Sequence, residues 1–132
     1  MIAAAERRLL QIAVAAGSLV PISAGAAGIW LGPAMVDAVG MPLGADSHYR
    51  YLSGLLLGIG MAFAAAVPRI ERRGARFRLL TAIVVAGGLG RLWALLTQGY
   101  PDTPMVAALV MELGVTPALC VWQTRVARSA EC

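Results

Sequence analysis

Four apolar stretches, residues 9–31, 51–67, 77–97 and 104–123, dictate the solvent in which this chain folds. A helix needs about 20 mainly apolar residues, within a range of roughly 17–25, to cross the hydrocarbon core of a bilayer. Each stretch reaches that range, the second only just. Together they raise the hydrophobic share to 59% and leave 14% charged, against about 45–50% and about 25% in a soluble domain. A water-soluble fold of 132 residues could not hide so much apolar surface. The expected fold class is therefore all-α: an integral membrane antiparallel four-helix bundle, forming a single transmembrane domain over residues 1–132.

The breaks between the stretches are marked by residues that cannot continue a helix. Gly32-Pro33 ends the first and Pro68 closes the second, because proline lacks the amide hydrogen that the ladder requires. Gly99-Tyr100-Pro101-Asp102-Thr103-Pro104 forms a turn, and Pro104 suits the opening of the fourth helix. Pro21 predicts a kink within the first. The start, with Arg7-Arg8 ahead of an apolar run and small residues at 23–27, resembles a secretory signal. However, the run from Leu9 continues to Leu31 for about 23 residues, beyond the usual 7–15 of a signal core, so a retained helix is expected.

All 11 basic residues are arginine. Nine of them, Arg7, Arg8, Arg69, Arg72, Arg73, Arg76, Arg78, Arg125 and Arg128, fall in segments that an even number of spans places on one side. Cytoplasmic segments of membrane proteins are enriched in arginine and lysine. The expected localisation is the inner membrane, multi-pass, with both termini cytoplasmic. No basic stripe interleaved with aromatics exists, which excludes nucleic acid as a partner; membrane lipid is the partner implied. Trp30, Trp93 and Trp122 stand near span ends, as aromatic anchors do. Cys120 and Cys132 give no disulfide framework.

Apart from Arg78 at the edge of the third stretch, two charges interrupt the apolar spans. Arg91 lies in the third and Glu112 in the fourth, and a charge at mid-bilayer costs at least about 2.5–3.5 kcal/mol. At about 1.5 Å per residue, they lie roughly 9 and 12 Å below the same surface, so antiparallel neighbours can pair them. Arg50 precedes the second span, with His48, Tyr49 and Tyr51 beside it. Together Arg50, Arg91, Gln98 and Glu112, with His48, predict an outward-opening polar pocket that binds a small polar or anionic ligand or a lipid head group. A purely structural Arg91–Glu112 pair stays open as an alternative, as does a proton-coupled role for Glu112. Gly25, Gly28 and Gly32 on the first helix, Gly54 and Gly58 with Gly60 beyond on the second, and Gly87, Gly88 and Gly90 on the third mark close-packing helix faces, since small residues let membrane helices approach. They leave open a homo-oligomer or a partner membrane protein. No phosphate-binding loop, metal-ligand spacing or nucleophile elbow is present, so no catalytic residue, metal or cofactor is assigned.

The segments HYRYLSGLLLGIG and GGLGRLWALLTQGYPDTP, followed by a helix carrying MEL, resemble the bacterial membrane family known as domain of unknown function 4345. The resemblance spans roughly residues 5–125 and rests on the order of its parts: an arginine opening helix two, Gly-Arg late in helix three, a Gly-x-Pro turn, then a glutamate in helix four. It implies a four-helix membrane domain, DoxX-like in outline, with Arg50, Gly54, Gly58, Gly90, Arg91, Gly99, Pro101 and Glu112 as matching positions. Ala94 departs from the serine that similar sequences carry soon after Gly-Arg. The resemblance implies no activity. Three readings of function follow: a non-enzymatic ligand-binding membrane protein, a small transporter coupled to protons through Glu112, and a membrane isomerase using His48 and Glu112 as acid and base. The first is preferred, because the arginine bias fixes one orientation and Glu112 has a cationic neighbour.

Overall fold

The computed structural model describes residues 2–131, and Cys132 lies outside them. The fold is all-α, with no strand among the described residues. Four helical stretches are long and apolar enough to cross a membrane: Ala4–Val36, Leu43–Arg72, Gly74–Gln98 and Thr103–Glu131. The chain is a multi-pass membrane protein. Helix α1 (Ile2–Leu31) passes through Pro21 as one continuous helix and ends in a 3-10 turn, Gly32–Val36. Helix α2 (Leu43–Ala66) begins well ahead of its apolar run, so Asp46, His48 and Arg50 lie in its first two turns. A second 3-10 segment, Val67–Arg72, bends at Arg69 (φ −129°, ψ 47°) and leads into α3 (Gly74–Gln98). The fourth stretch is α4 (Thr103–Val110), a π-helical turn (Met111–Val115) and α5 (Thr116–Glu131).

Two compact units divide the chain: Ile12–Val67, and Met1–Gln11 with Pro68–Cys132. In the unit of residues 12–67, α1 and α2 cross where neither has side-chain bulk. A Cβ added to Gly25 would stand 2.6 Å from the Leu57 amide nitrogen and 2.7 Å from the Ser53 carbonyl oxygen. One added to Gly28 would run into the Ser53 hydroxyl, and one added to Gly60 would come within 2.8 Å of Ile22. Gly25, Gly28 and Gly60 thus carry the close packing expected of them, whereas the Gly54 and Gly58 pair does not. Gly58 has no neighbour within 4 Å of such a Cβ, and Gly54 only Ile29 Cδ1 at 3.9 Å. Helical geometry explains the difference: Ser53, Leu57 and Gly60 follow the i, i+4, i+7 rule of one face, and Gly54 and Gly58 stand one residue round from it.

Arg50 closes this unit. Its Nε donates to Asp46 Oδ1 at 3.0 Å, while Nη1 donates to the carbonyl oxygens of Ile29 and Trp30. The last carbonyls of any α-helix lack intrahelical partners, and here a guanidinium supplies the donors for α1. Replacing Arg50 with leucine is expected to cost about 1–2 kcal/mol, the worth of charge-assisted hydrogen bonds discounted for partial exposure. Thermal unfolding in detergent measures it, and an unchanged midpoint would show the clasp to be idle.

In the second unit the buried side chains collect near the arginine-rich connection. Leu10, Ile70, Phe77 and Gln123 are fully buried, with Leu80, Thr81 and Val126 beside them. Gln123 Nε2 donates to the Ile70 carbonyl at 2.8 Å, and Trp122 Nε1 donates to Glu6 at 3.1 Å. Arg7 meets Glu71 at 3.5 Å. On their outer faces the helices show large apolar side chains at the surface, among them Leu79, Ile83, Leu89, Trp93, Leu96, Val110 and Val121. That pattern suits a solvent of hydrocarbon.

Candidate functional site

Helix α3 approaches the fourth stretch at Gly88, where a Cβ would stand 2.8 Å from Leu113 Cδ2 and 2.9 Å from Glu112 Cβ. Among the glycines singled out by spacing on the third helix, Gly88 is the one that meets a tight neighbour; Gly87 and Gly90 have nothing within 4 Å. Gly88 and Arg91 are three residues apart and so share a helix face. The close approach at Gly88 sets Arg91 against Glu112 one turn later. Nε donates to Oε2 at 3.0 Å and Nη2 to Oε1 at 3.1 Å. Two parallel bonds of this kind are the strong form of the arginine–carboxylate contact, fixing orientation as well as charge.

The remaining terminal nitrogen of Arg91, Nη1, faces the thioether sulfur of Met105 at 2.9 Å. A thioether is a weak acceptor. Met105 and Glu112 lie seven residues apart, on one face of the fourth stretch. The side chains of Arg91 and Glu112 keep 34% and 19% of their accessible surface, so the pair is partly open.

Glu112 sits within the π-helical turn, Met111–Val115. The Met111 carbonyl accepts both the backbone amide and the hydroxyl of Thr116, the latter at 2.8 Å. Pro117 follows directly and can offer no amide to the carbonyls behind it. The wide turn is the local accommodation, and such turns recur at functional positions. Met105 and Pro117 are the participants that sequence reasoning passed over. Pro117 inside an apolar run was the signal for the turn; nothing in the sequence distinguishes Met105 from a lipid-facing methionine.

The other expected site residues are placed as follows. Gln98 is the exposed last residue of α3. Arg50 belongs to the 12–67 unit and is engaged with Asp46 and the end of α1. His48 belongs to that unit too, is exposed, and stacks on Tyr51 with ring centroids 6.3 Å apart. A hollow of about 210 Å³ lies in the 12–67 unit and is lined by residues between Leu31 and Asp46, including neither Arg50 nor His48.

A family model described as "Domain of unknown function (DUF4345)" matches residues 9–123. The chain belongs to this family. As a DUF4345 protein it carries the Gly-Arg of α3 and the glutamate of the fourth stretch inside the matched region. No curated protein matches this DUF4345 chain. No solved structure matches it either.

Proposed function

We propose that this DUF4345 protein is a non-enzymatic protein of the bacterial inner membrane, with both termini in the cytoplasm, that holds an acidic oxygen of a lipid head group or small polar ligand on Arg91. The observation that carries the reading is the incomplete engagement of Arg91. Glu112 fixes the guanidinium through two donors, while Nη1 has only a thioether sulfur, and a third of the side chain stays accessible. A phosphate or carboxylate oxygen would be a far better acceptor for that nitrogen than sulfur. Pairing with Arg91 also weighs against a Glu112 that sheds and regains a proton during transport. The nine arginines confined to the segments around the termini and the connection 69–78 support the orientation.

Retention of phosphatidylglycerol against phosphatidylcholine, read by native mass spectrometry after mild detergent extraction, tests the ligand. Arg91→Leu is expected to lower the preference about tenfold, the equivalent of one charge-assisted hydrogen bond of about 1.5 kcal/mol. Glu112→Gln should weaken it less, by loosening the guanidinium, and Arg128→Leu on the exposed last turn should leave it in place. Equal loss in the Arg91 and Arg128 variants would reduce the effect to general surface charge and remove the site.

A further inference from the structure

The connection between α1 and α2 is unlike an ordinary surface loop. It reads Gly-Pro-Ala-Met-Val-Asp-Ala-Val-Gly-Met-Pro from residue 32 to residue 42, with Asp37 its one charge. Its apolar side chains point outward: Val39 is 85% exposed and Leu43, at the start of α2, 89%. Met35 and Met41 are exposed beside them. Trp30 and Leu31 at the end of α1 are exposed as well, and Asp37 is the one charged side chain exposed between them and Val39. Beneath it lies the hollow of about 210 Å³, lined by Leu31, Pro33, Val39, Met41 and Leu43 among others, with Asp46 as its charged member.

The two ends of the connection satisfy backbone groups internally, and its middle, residues 39–41, is left to the hydrated head-group level. The Asp37 amide donates to Ala34 O at 3.3 Å and the Ala38 amide to Pro33 O at 3.0 Å. At the far end, Ala45 and Asp46 both donate to Pro42 O, at 2.9 and 3.0 Å. Pro33 and Pro42 bring no amide hydrogen to be satisfied. The terminal carbonyls of α1 at Ile29 and Trp30, which water would serve at an exposed helix end, are served by Arg50 instead. Polar backbone in lipid must find its partners inside the protein, and both ends of this connection do so.

We infer that residues 32–43 lie in the lipid of the bilayer, at the boundary between head groups and acyl chains, with lipid methylenes filling the hollow, rather than in the water beyond the membrane surface. The occupant is lipid because the side chains exposed from Trp30 to Leu43 are apolar apart from Asp37, too little charge for a solvated loop, and α1 leads directly into them from its membrane span. The spans lengthened by their 3-10 turns, Ala4–Val36 and Leu43–Arg72, then enter and leave the membrane through an apolar shelf. Such in-plane apolar elements sit about 5–10 Å into the interfacial region.

Fluorescence from a polarity-sensitive probe tests the placement. In a Cys120→Ser, Cys132→Ser background, single cysteines at Val39→Cys and Leu43→Cys are labelled with a nitrobenzoxadiazole probe in phosphatidylcholine nanodiscs. A third, Asp102→Cys in the connection between α3 and α4, serves as the reference. Quenching by lipids spin-labelled high on the acyl chain is expected to be about threefold stronger at positions 39 and 43 than at 102, and quenching by aqueous iodide about threefold weaker. Because the two positions are labelled separately, misfolding of one variant leaves the other informative. Iodide quenching equal to that at 102 would overturn the proposal, and so would protection from both quenchers, which would mean that protein, such as a second copy of the chain, covers the shelf.

Discussion

Replacing Arg91 with leucine is expected to destabilise the protein by about 2–3 kcal/mol, although leucine is the more membrane-compatible residue. The penalty arises from what is left behind: a Glu112 carboxylate in a largely apolar setting without its two donors. Breaking a fully buried pair costs about 3–5 kcal/mol, and the expected loss is smaller because 34% of the Arg91 side chain is accessible. The double variant Arg91→Leu, Glu112→Met should recover most of the loss, since both charges then leave together and apolar replacement of an ion pair is often neutral. Thermal unfolding of the four proteins in one detergent forms a closed double-mutant cycle. Strict additivity of the two single losses would show that the 3.0 and 3.1 Å contacts carry no coupling energy. The cycle also separates structure from binding: a stable double variant that no longer prefers phosphatidylglycerol would assign the pair to the ligand as well as to the fold.

Substituting Gly25 with alanine is expected to be equally damaging for a steric reason. The new methyl would stand 2.6 Å from a backbone nitrogen and 2.7 Å from a backbone oxygen of α2. Neither atom can swing aside as a side chain would, so α1 and α2 must separate, and the cost should approach about 3 kcal/mol, the upper end for overpacking. Gly58→Ala is the matched comparison. Its methyl meets nothing within 4 Å, so the substitution should stabilise α2 by up to about 1 kcal/mol through helix propensity. The unfolding midpoints of the two variants should therefore move in opposite directions. A shift in the same direction would mean that α1 and α2 do not cross at Gly25.

Gly25 and Gly58 were both marked by spacing, and the contrast between them shows where sequence reading stops. Spacing identifies glycines that share a face, and Gly54 and Gly58 share one. It does not say which face turns towards a neighbour, because in a membrane the lipid-facing and protein-facing surfaces are both apolar and no hydrophobic contrast separates them. The same lack of contrast hid Met105. Arg50 illustrates a second limit. Its position beside polar residues suggested a cation open to a ligand, whereas α2 starts early enough for the guanidinium to reach Asp46 one turn behind and the end of α1. Finding that partner required three-dimensional proximity between residues 20 and 21 positions apart.

What the sequence determined by itself was the solvent and the class: four apolar runs of spanning length, broken by Gly32-Pro33, Pro68 and the 99–104 turn, admit an all-α membrane fold because lipid leaves backbone groups no other partners. It also placed Arg91 and Glu112 at matching depth, since rise per residue is fixed in a helix. The tertiary structure decided the azimuth. It selected Gly88 as the point of approach, used the π turn ahead of Pro117 to seat Glu112, and gave Arg91 a carboxylate on two donors and sulfur on another. Rotation about a helix axis is set by side-chain fit with a neighbour, and fit is a property of two surfaces that a single chain of letters does not align.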